Sequence, residues 1–212
     1  MSTFDPACKL CPRLAAFLEA GRQEYPAYYC APVPPFGAAR PRLLIVGLAP
    51  GFHGANATGR PFTGDHAGIL LYRTLHEFGF ASRPESLAAG DGLVLRGCRI
   101  TNAVKCVPPG NKPRPDEIRN CNTYLGAELA GLRPGNVILA LGTIAHDAVL
   151  AALQLPRSRH RFAHGAEHAL PNRLTMIDSY HCSRYNTQTR RLTAAMFREV
   201  VARAAALARE HH

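Results

Sequence analysis

Residues 43–68 read LLIVGLAPGFHGANATGRPFTGDHAG, and this stretch decides the fold. Its first four residues are apolar, which is typical of a buried strand. Glycines and prolines then interrupt regular structure over about 20 residues, and ordered loops of that length are usually functional. In an open α/β sheet, ligands bind at the loop that leaves the carboxyl end of a strand. Residues 49–65 are therefore the candidate active-site loop.

The rest of the chain alternates short apolar runs with helical patterns. This alternation predicts a single α/β domain with a central four-stranded parallel β-sheet and helices on both faces. The segments at 25–41 and 157–173 are expected to be irregular. The four strands are expected at residues 43–48, 98–104, 137–141 and 174–177, and the helices at 14–22, 69–78, 116–132, 143–153 and 187–209.

The chain of 212 residues carries 25 Lys and Arg against 15 Asp and Glu, a net charge of +10. A basic excess of this size is expected of nucleic-acid binding, although a solvated basic surface is an alternative. The sequence has neither an apolar run near 18 residues nor a signal-peptide pattern. We therefore expect no membrane partner and a cytoplasmic location, associated with the nucleoid through DNA.

Polar and aromatic side chains follow three of the predicted strands. Phe62 and Asp65 lie in the first loop, Asn102 in the second and His181 in the third. An aromatic face, an amide and an imidazole around a glycine-rich cleft suit a base extruded from DNA. Each residue also has a structural interpretation: Phe62 as core, Asp65 as a helix N-cap, Asn102 as a turn residue and His181 as a satisfied imidazole.

Three segments, GLAPGFHGANATGRPFTGD (47–65), ITNAVKCVPP (100–109) and HCSRYN (181–186), resemble the three motifs of the uracil-DNA glycosylase superfamily, in particular its family 5 (type b) enzymes. The resemblance covers nearly the whole chain. It implies that Phe62 stacks on a flipped uracil, Asn102 reads the uracil edge and His181 stabilises the leaving uracil anion. It also implies that three residues of the first motif line the water side of the site: Gly47, Ala49 and Gly51.

The first motif departs from the superfamily pattern. Most members carry Asp, Asn or Glu two residues after the strand, whereas this chain has Ala49, as family 5 members do. The resemblance then gives the catalytic role to Asp65, which could orient water or stabilise a cationic sugar. In the third motif, Cys182 stands where relatives often have Pro. The DNA wedge implied by the resemblance is formed by Ser183, Arg184 and Tyr185.

Four of the seven cysteines form two pairs, Cys8-x2-Cys11 and Cys106-x14-Cys121. Four thiolates can hold a zinc ion or an iron–sulfur cluster, and the wide second spacing is unusual for zinc. The arrangement resembles that of family 4 and 5 glycosylases. It implies a structural [4Fe–4S] cluster that ties residues 1–40 to the domain. Cys30 and Cys98 are expected to be buried free thiols.

Together with the resemblance, these patterns predict a monofunctional DNA glycosylase that removes uracil to leave an abasic site. The resemblance also implies activity on hypoxanthine or other deaminated bases. Lyase activity requires an unprotonated lysine in the cleft, and none is expected, because Lys105 and Lys112 flank the cluster loop. The resemblance also implies a monomer. Two alternatives stay open: a non-catalytic iron–sulfur module that senses uracil in DNA, and a covalent uracil binder.

Overall fold

A computed structural model of the chain describes residues 4–210, so residues 1–3 and 211–212 of the predicted domain lie outside the described part. Its four inner strands are separated in the chain by helices, as predicted. In chain order the helices and strands are α1 (Pro12–Glu24), β1 (Phe36–Gly37), β2 (Leu43–Gly47), α2 (Ala55–Thr58), α3 (His66–Glu77), β3 (Cys98–Asn102), α4 (Pro115–Ala130), β4 (Val137–Leu141), α5 (Thr143–Ala152), β5 (Glu167–Ala169), β6 (Thr175–Ser179), α6 (Arg184–Gln188) and α7 (Ala194–Glu210).

The sheet has six strands in the order β1-β3-β2-β4-β6-β5. Its four inner strands are parallel, which confirms the predicted centre. Two short antiparallel edge strands, β1 and β5, were not predicted, and they make the whole sheet mixed. Both edges are only two or three residues long and only partly buried, so no apolar run marks them.

Two helical layers cover the sheet. Leu43 and Ile45 of β2 pack toward α3 and α7, whereas Leu44 and Val46 pack toward α4 and α5. Successive side chains of a strand point to opposite faces, so a strand covered on both sides must be apolar throughout. That requirement explains the continuous apolar run of β2.

The carboxyl-terminal helix is shorter than predicted. A continuous helix over residues 187–209 was expected, but α6 and α7 are separate elements. Arg190, between them, has a φ of +58°, which is left-handed and cannot continue an α-helix. The break leaves α6 as an independent turn of helix beside the third motif. No helix within residues 4–210 is both long and apolar enough to cross a bilayer.

The register of the sheet places the active-site candidates together. Gly47, the last residue of β2, lies directly opposite Asn102, the last residue of β3. The chain runs from β2 to β3 on one side and then crosses to β4 on the other, so the strand order reverses at β2. A crevice opens at such a reversal, outside the carboxyl ends of the strands.

Candidate active site

A cavity of about 430 Å³ lies at this crevice. The structure brings most of the predicted site residues to it from the three motif segments of the chain. Predicted residues that line the cavity are Ala49, Gly51, Phe62, Asp65, Asn102, His181, Ser183 and Arg184.

Phe62 forms one wall of the cavity in a strained conformation. Its φ is +55°, which is rare for a bulky residue and costs about 1–3 kcal/mol. Two neighbours hold it there. Tyr72 donates a hydrogen bond of 2.7 Å to the Pro61 carbonyl. A Cβ on Gly68 would lie 1.9 Å from the Phe62 carbonyl oxygen, so only glycine fits beneath it.

A buried arginine of the same loop binds the segment that contains Ser86 and Asp91. Arg60 donates to Asp91 Oδ1 at 2.8 Å and to Ser86 Oγ at 3.0 Å, and its guanidinium lies 4.5 Å from the centroid of the Phe36 ring. Burial opposes ionisation of Asp91, but Arg60 and three backbone N–H groups outweigh it. They hold the pKa of that carboxyl well below its usual range. The strained Phe62 backbone is therefore fixed by a charged network that was not predicted.

Asn102 is buried beside Phe62, with 3% of its surface exposed. Its Oδ1 is buried and has no hydrogen-bond partner within the described residues. Gly47 makes this position possible, since a Cβ there would lie 2.4 Å from Asn102 Oδ1 and 2.6 Å from Phe62 Cζ. Gly47 thus leaves room for the Asn102 and Phe62 side chains but does not itself line the cavity. An unpaired buried acceptor is costly, which marks a place where a ligand can donate a hydrogen bond.

His181 lines the cavity beside Phe62, with 5.8 Å between ring centroids and an interplanar angle of 29°. The Asn186 side chain donates to the His181 carbonyl at 2.8 Å and so fixes the third motif. Burial lowers the pKa of His181 to about 4. The imidazole is therefore neutral at physiological pH, and one of its nitrogens carries a hydrogen that can be donated.

The two carboxylate oxygens of Asp65 differ in their surroundings. Its Oδ1 caps α3 by accepting the Gly68 N–H at 2.8 Å, as the structural interpretation predicted. Its Oδ2 lies on the side of Gly51 and Gly54, whose added Cβ atoms would be 3.9 and 2.9 Å away. Burial raises the pKa of Asp65, against the stabilising N–H groups of Gly68 and Ala67. The second oxygen remains available to a ligand in the cavity.

The predicted wedge residues lie at the start of α6, at the mouth of the cavity. Ser183 caps this helix by accepting the Asn186 N–H at 3.4 Å. Ser183 and Arg184 line the cavity, whereas Tyr185 does not and leaves 71% of its surface in solvent.

One segment of the cavity wall was not predicted from the sequence. Gly142, Thr143 and Ile144 follow β4 and line the cavity, and a Cβ on Gly142 would lie 3.5 Å from His181 Cβ. This segment could have been predicted, because β4 is a parallel strand and its carboxyl end must lie at the same edge of the sheet. His66, at the start of α3, also lines the cavity, and its Nε2 lies 3.0 Å from Thr187 Oγ1.

A second cavity collects the four predicted metal-ligating cysteines. Its lining includes Cys8, Cys11, Cys106 and Cys121. Two polar groups point at the sulfur atoms: the Lys105 backbone N–H lies 3.2 Å from Cys121 Sγ, and Asn120 Nδ2 lies 3.6 Å from Cys11 Sγ. Burial raises the pKa of the Cys121 thiol to about 11. Cys30 and Cys98 are buried free thiols, as predicted.

A separate buried cluster lies behind α5. Asp178 Oδ1 is 2.8 Å from His146 Nδ1, and Asp178 Oδ2 is 2.9 Å from His168 Nε2. His146 Nε2 lies 2.9 Å from the His160 carbonyl oxygen. Both nitrogens of His146 face acceptors, so both are satisfied only when the ring is protonated. Burial opposes that charge, but Asp178 outweighs it and the pKa of His146 is raised.

Comparison with known proteins agrees with this geometry. The family described as "Uracil DNA glycosylase superfamily" matches residues 34–205. The chain belongs to the uracil-DNA glycosylase superfamily. Within it, the chain is 51% identical over 207 residues to the type-5 uracil-DNA glycosylase of Thermus thermophilus, covering 95% of this chain and 94% of that protein.

Two further relatives have the same description. The type-5 uracil-DNA glycosylase of Pyrobaculum aerophilum is 40% identical over 203 residues, covering 94% of this chain and 88% of that protein. That of Mycobacterium bovis is 41% identical over 211 residues, covering 95% of this chain and 78% of that protein. The similarity to type-5 enzymes therefore extends over almost the whole chain.

Proposed function

We propose that this chain is a DNA repair enzyme that hydrolyses the N-glycosidic bond of uracil in DNA and leaves an abasic site. One observation carries the proposal: Asn102, whose buried Oδ1 has no hydrogen-bond partner within the described residues, lines the same cavity as the rings of Phe62 and His181. Uracil presents an N3–H donor between two carbonyl acceptors. An extruded uracil stacked on Phe62 can satisfy the Asn102 acceptor.

The same contact discriminates between bases. Cytosine has a lone pair at N3 in place of the N3–H group, so its ring nitrogen and Asn102 Oδ1 would face each other as two acceptors. A site built to pair a hydrogen bond rejects an analogue that leaves its buried group unpaired. Hypoxanthine presents an N–H beside a carbonyl, as uracil does. The cavity volume is within the range of small-molecule sites, so we propose that deaminated purines are also accepted.

The chemistry follows from the charges that develop. When the bond between the sugar C1′ and the base breaks, its electron pair stays on uracil and the sugar becomes cationic. Neutral His181 can donate to the developing oxyanion of the base, and Asp65 Oδ2 can stabilise the cationic sugar or orient the water. Water then adds its oxygen to C1′ and loses a proton. Either role of Asp65 leaves an abasic site.

The lysines support hydrolysis over lyase chemistry. The chain has three, Lys9, Lys105 and Lys112, and none lines the base cavity. A Schiff base needs a lysine amine within reach of the sugar. We therefore propose a monofunctional enzyme whose product strand stays intact until alkali is added.

We further propose that Cys8, Cys11, Cys106 and Cys121 hold a [4Fe–4S] cluster with a structural role. Tetrahedral zinc would bring the sulfur atoms to about 3.8 Å from one another, given a Zn–S distance near 2.3 Å. The described residues contain one group of three His, Cys, Asp or Glu side chains with ligand atoms mutually within 4.8 Å, and no cysteine belongs to it. The wider spacing of thiols around one cavity supports a cluster.

A single-turnover assay tests the activity. Oligonucleotides carrying one uracil are incubated with excess enzyme, and the strands are separated before and after alkali. We expect breaks only after alkali, together with free uracil. The absence of alkali-sensitive sites would favour the non-catalytic DNA-binding alternative, and a shifted band on a denaturing gel would favour the covalent binder.

Metal analysis tests the cluster independently. We expect brown protein with iron and acid-labile sulfide, and colourless protein that contains zinc would contradict the assignment. We also propose that the enzyme acts as a monomer and works in the compartment that holds the genome. Sedimentation of the purified chain, with and without an oligonucleotide, measures the oligomeric state.

A further inference from the structure

Lys105 is a buried cation that the proposed chemistry does not use. Its side chain is 1% exposed. Its ammonium donates to the Asn102 carbonyl at 2.9 Å, to Glu128 Oε1 at 2.7 Å and to the Thr101 hydroxyl. All three of its hydrogens can therefore be satisfied. Two of its three contacts are made with the residue that carries the base-reading amide and with the residue before it.

The backbone of Lys105 faces the other way. Its N–H lies 3.2 Å from Cys121 Sγ, and the residue lines the cysteine cavity. Glu128, its charge partner, stands on α4 with Cys121. Glu128 Oε1 also accepts the Thr101 hydroxyl at 3.1 Å. Lys105 thus connects the cysteine site, α4 and the end of β3.

General stability does not explain a buried ion pair of this kind. Removing a lysine and a glutamate from water costs several kcal/mol per ion, and apolar replacements are often at least as stable. The contact with the Asn102 carbonyl has a more specific consequence, because it fixes the peptide from which the amide projects. Asn102 Oδ1 has no side-chain partner of its own within the described residues. Its orientation must therefore come from the backbone and from packing.

We infer that Lys105 is a positioning residue: its ammonium, paired with Glu128, holds the end of β3 so that the Asn102 amide meets the base in one orientation. The inference rests on the proposed role of Asn102. Lys105 does not line the base cavity and is buried, so it contacts neither the base nor a DNA phosphate. Its effect on the reaction passes through Asn102 alone.

A double-mutant cycle tests this dependence. The pair variant Lys105→Met with Glu128→Gln removes both charges of this pair. Arg99, whose Nε lies 3.9 Å from Glu128 Oε2, also loses a counter-ion, but its side chain is 26% exposed and stays in contact with solvent. It is combined with Asn102→Ala, and the single-turnover rate constant for uracil release is measured in each background. With Asn102 present, we expect the pair variant to lower the rate constant on the order of 10- to 100-fold, the cost of a misplaced group. With Asn102→Ala, we expect no further loss.

The outcomes separate the two claims. Equal losses in both backgrounds overturn the positioning role and leave the proposed function intact. A wild-type rate in Asn102→Ala overturns the base-reading role itself, and the inference falls with it. The exposed Lys9→Met serves as a control for loss of one positive charge and is expected to leave the rate unchanged.

Folding is checked on the same samples. A purely structural role would lower the amplitude of the single-turnover reaction, which reports the fraction of active enzyme, and would leave the rate constant unchanged. If the pair variant does not fold, Lys105→Arg keeps the charge but replaces the compact ammonium with a planar fork. A lowered rate constant at full amplitude in Lys105→Arg supports the inference, and an unchanged rate constant overturns it.

Discussion

Two buried polar clusters stand near the carboxyl edge of the same sheet and differ in how their atoms are satisfied. In the base cavity, Asn102 Oδ1 has no partner within the described residues and Asp65 uses one oxygen of two. In the cluster behind α5, both oxygens of Asp178 are paired with imidazole nitrogens. Polar atoms that are fully paired hold a fold together, and those left unpaired can bind a ligand.

The largest expected effect is in the base cavity. Asp65→Asn preserves the α3 cap, since Asn and Asp cap helices about equally well. It removes the negative charge that faces the cavity, and we expect uracil release to slow by about 10²- to 10³-fold. The melting temperature should change little. Single-turnover kinetics and thermal denaturation of the same preparation measure the two quantities.

The opposite result would be informative. If Asp65→Asn keeps its activity and Asp65→Ala loses only stability, then the carboxylate is a helix cap and nothing more. The pH profile gives a second check, because burial raises the pKa of Asp65. The wild-type rate should fall on the acid side as this carboxylate protonates, and that acid limb should be altered in the Asn variant.

The next effect is in the paired cluster. Asp178→Asn leaves the charged His146 without its counter-ion, and breaking a buried pair costs about 3–5 kcal/mol. We expect a large loss of stability in denaturant unfolding. The rate constant per folded molecule should stay near that of the wild type. A variant that is stable but inactive would place Asp178 in the chemistry instead.

The inner strands could be predicted because short apolar runs mark them along the chain. Phe62, Asn102 and His181 could be predicted as site residues because they lie at or after the ends of these strands. The sequence did not predict β1 or β5, whose pairing depends on backbone hydrogen bonds in short, partly buried segments. The link between Arg60 and Asp91 and that between Lys105 and Glu128 join residues far apart in the chain. Such pairs cannot be predicted from a local sequence pattern, because their residues come together only in the folded chain.

A smaller effect concerns pH and the His146 pair. The pKa of His146 is raised on folding, so its contribution to stability is complete below the unfolded value near 6.5. That contribution is lost as the pH rises through the folded pKa. His181 behaves oppositely, because folding lowers its pKa to about 4 and so favours the neutral ring. The folded protein therefore loses stability as the pH drops from 6.5 toward 4, where the ring is protonated in the unfolded chain but not in the folded one.

Unfolding free energies measured across pH separate these contributions. The difference between wild type and His146→Leu should shrink as the pH rises, because the charged pair is lost. A difference that stays constant with pH would show that the His146 ring is not protonated in the folded protein.

The smallest expected effect is at the mouth of the base cavity. Tyr185→Ala removes an exposed ring and should leave stability within about 0.5 kcal/mol of the wild type. If Tyr185 has the wedge role that the resemblance implies, the lost contact is with bases and not with phosphates, so we expect weaker binding to uracil-containing duplex with an unchanged salt dependence. A reduced salt slope would instead assign this surface to the DNA backbone.

The most direct test concerns the hydrogen bond between the base and Asn102. Release is measured from oligonucleotides that carry uracil or N3-methyluracil at one position, with the wild type and with Asn102→Ala. We predict that the wild type releases uracil at least on the order of 100-fold faster than the methylated base, because the methyl group removes the N3–H donor. In Asn102→Ala the two rates should converge. Equal release of both bases by the wild type would contradict base reading by Asn102.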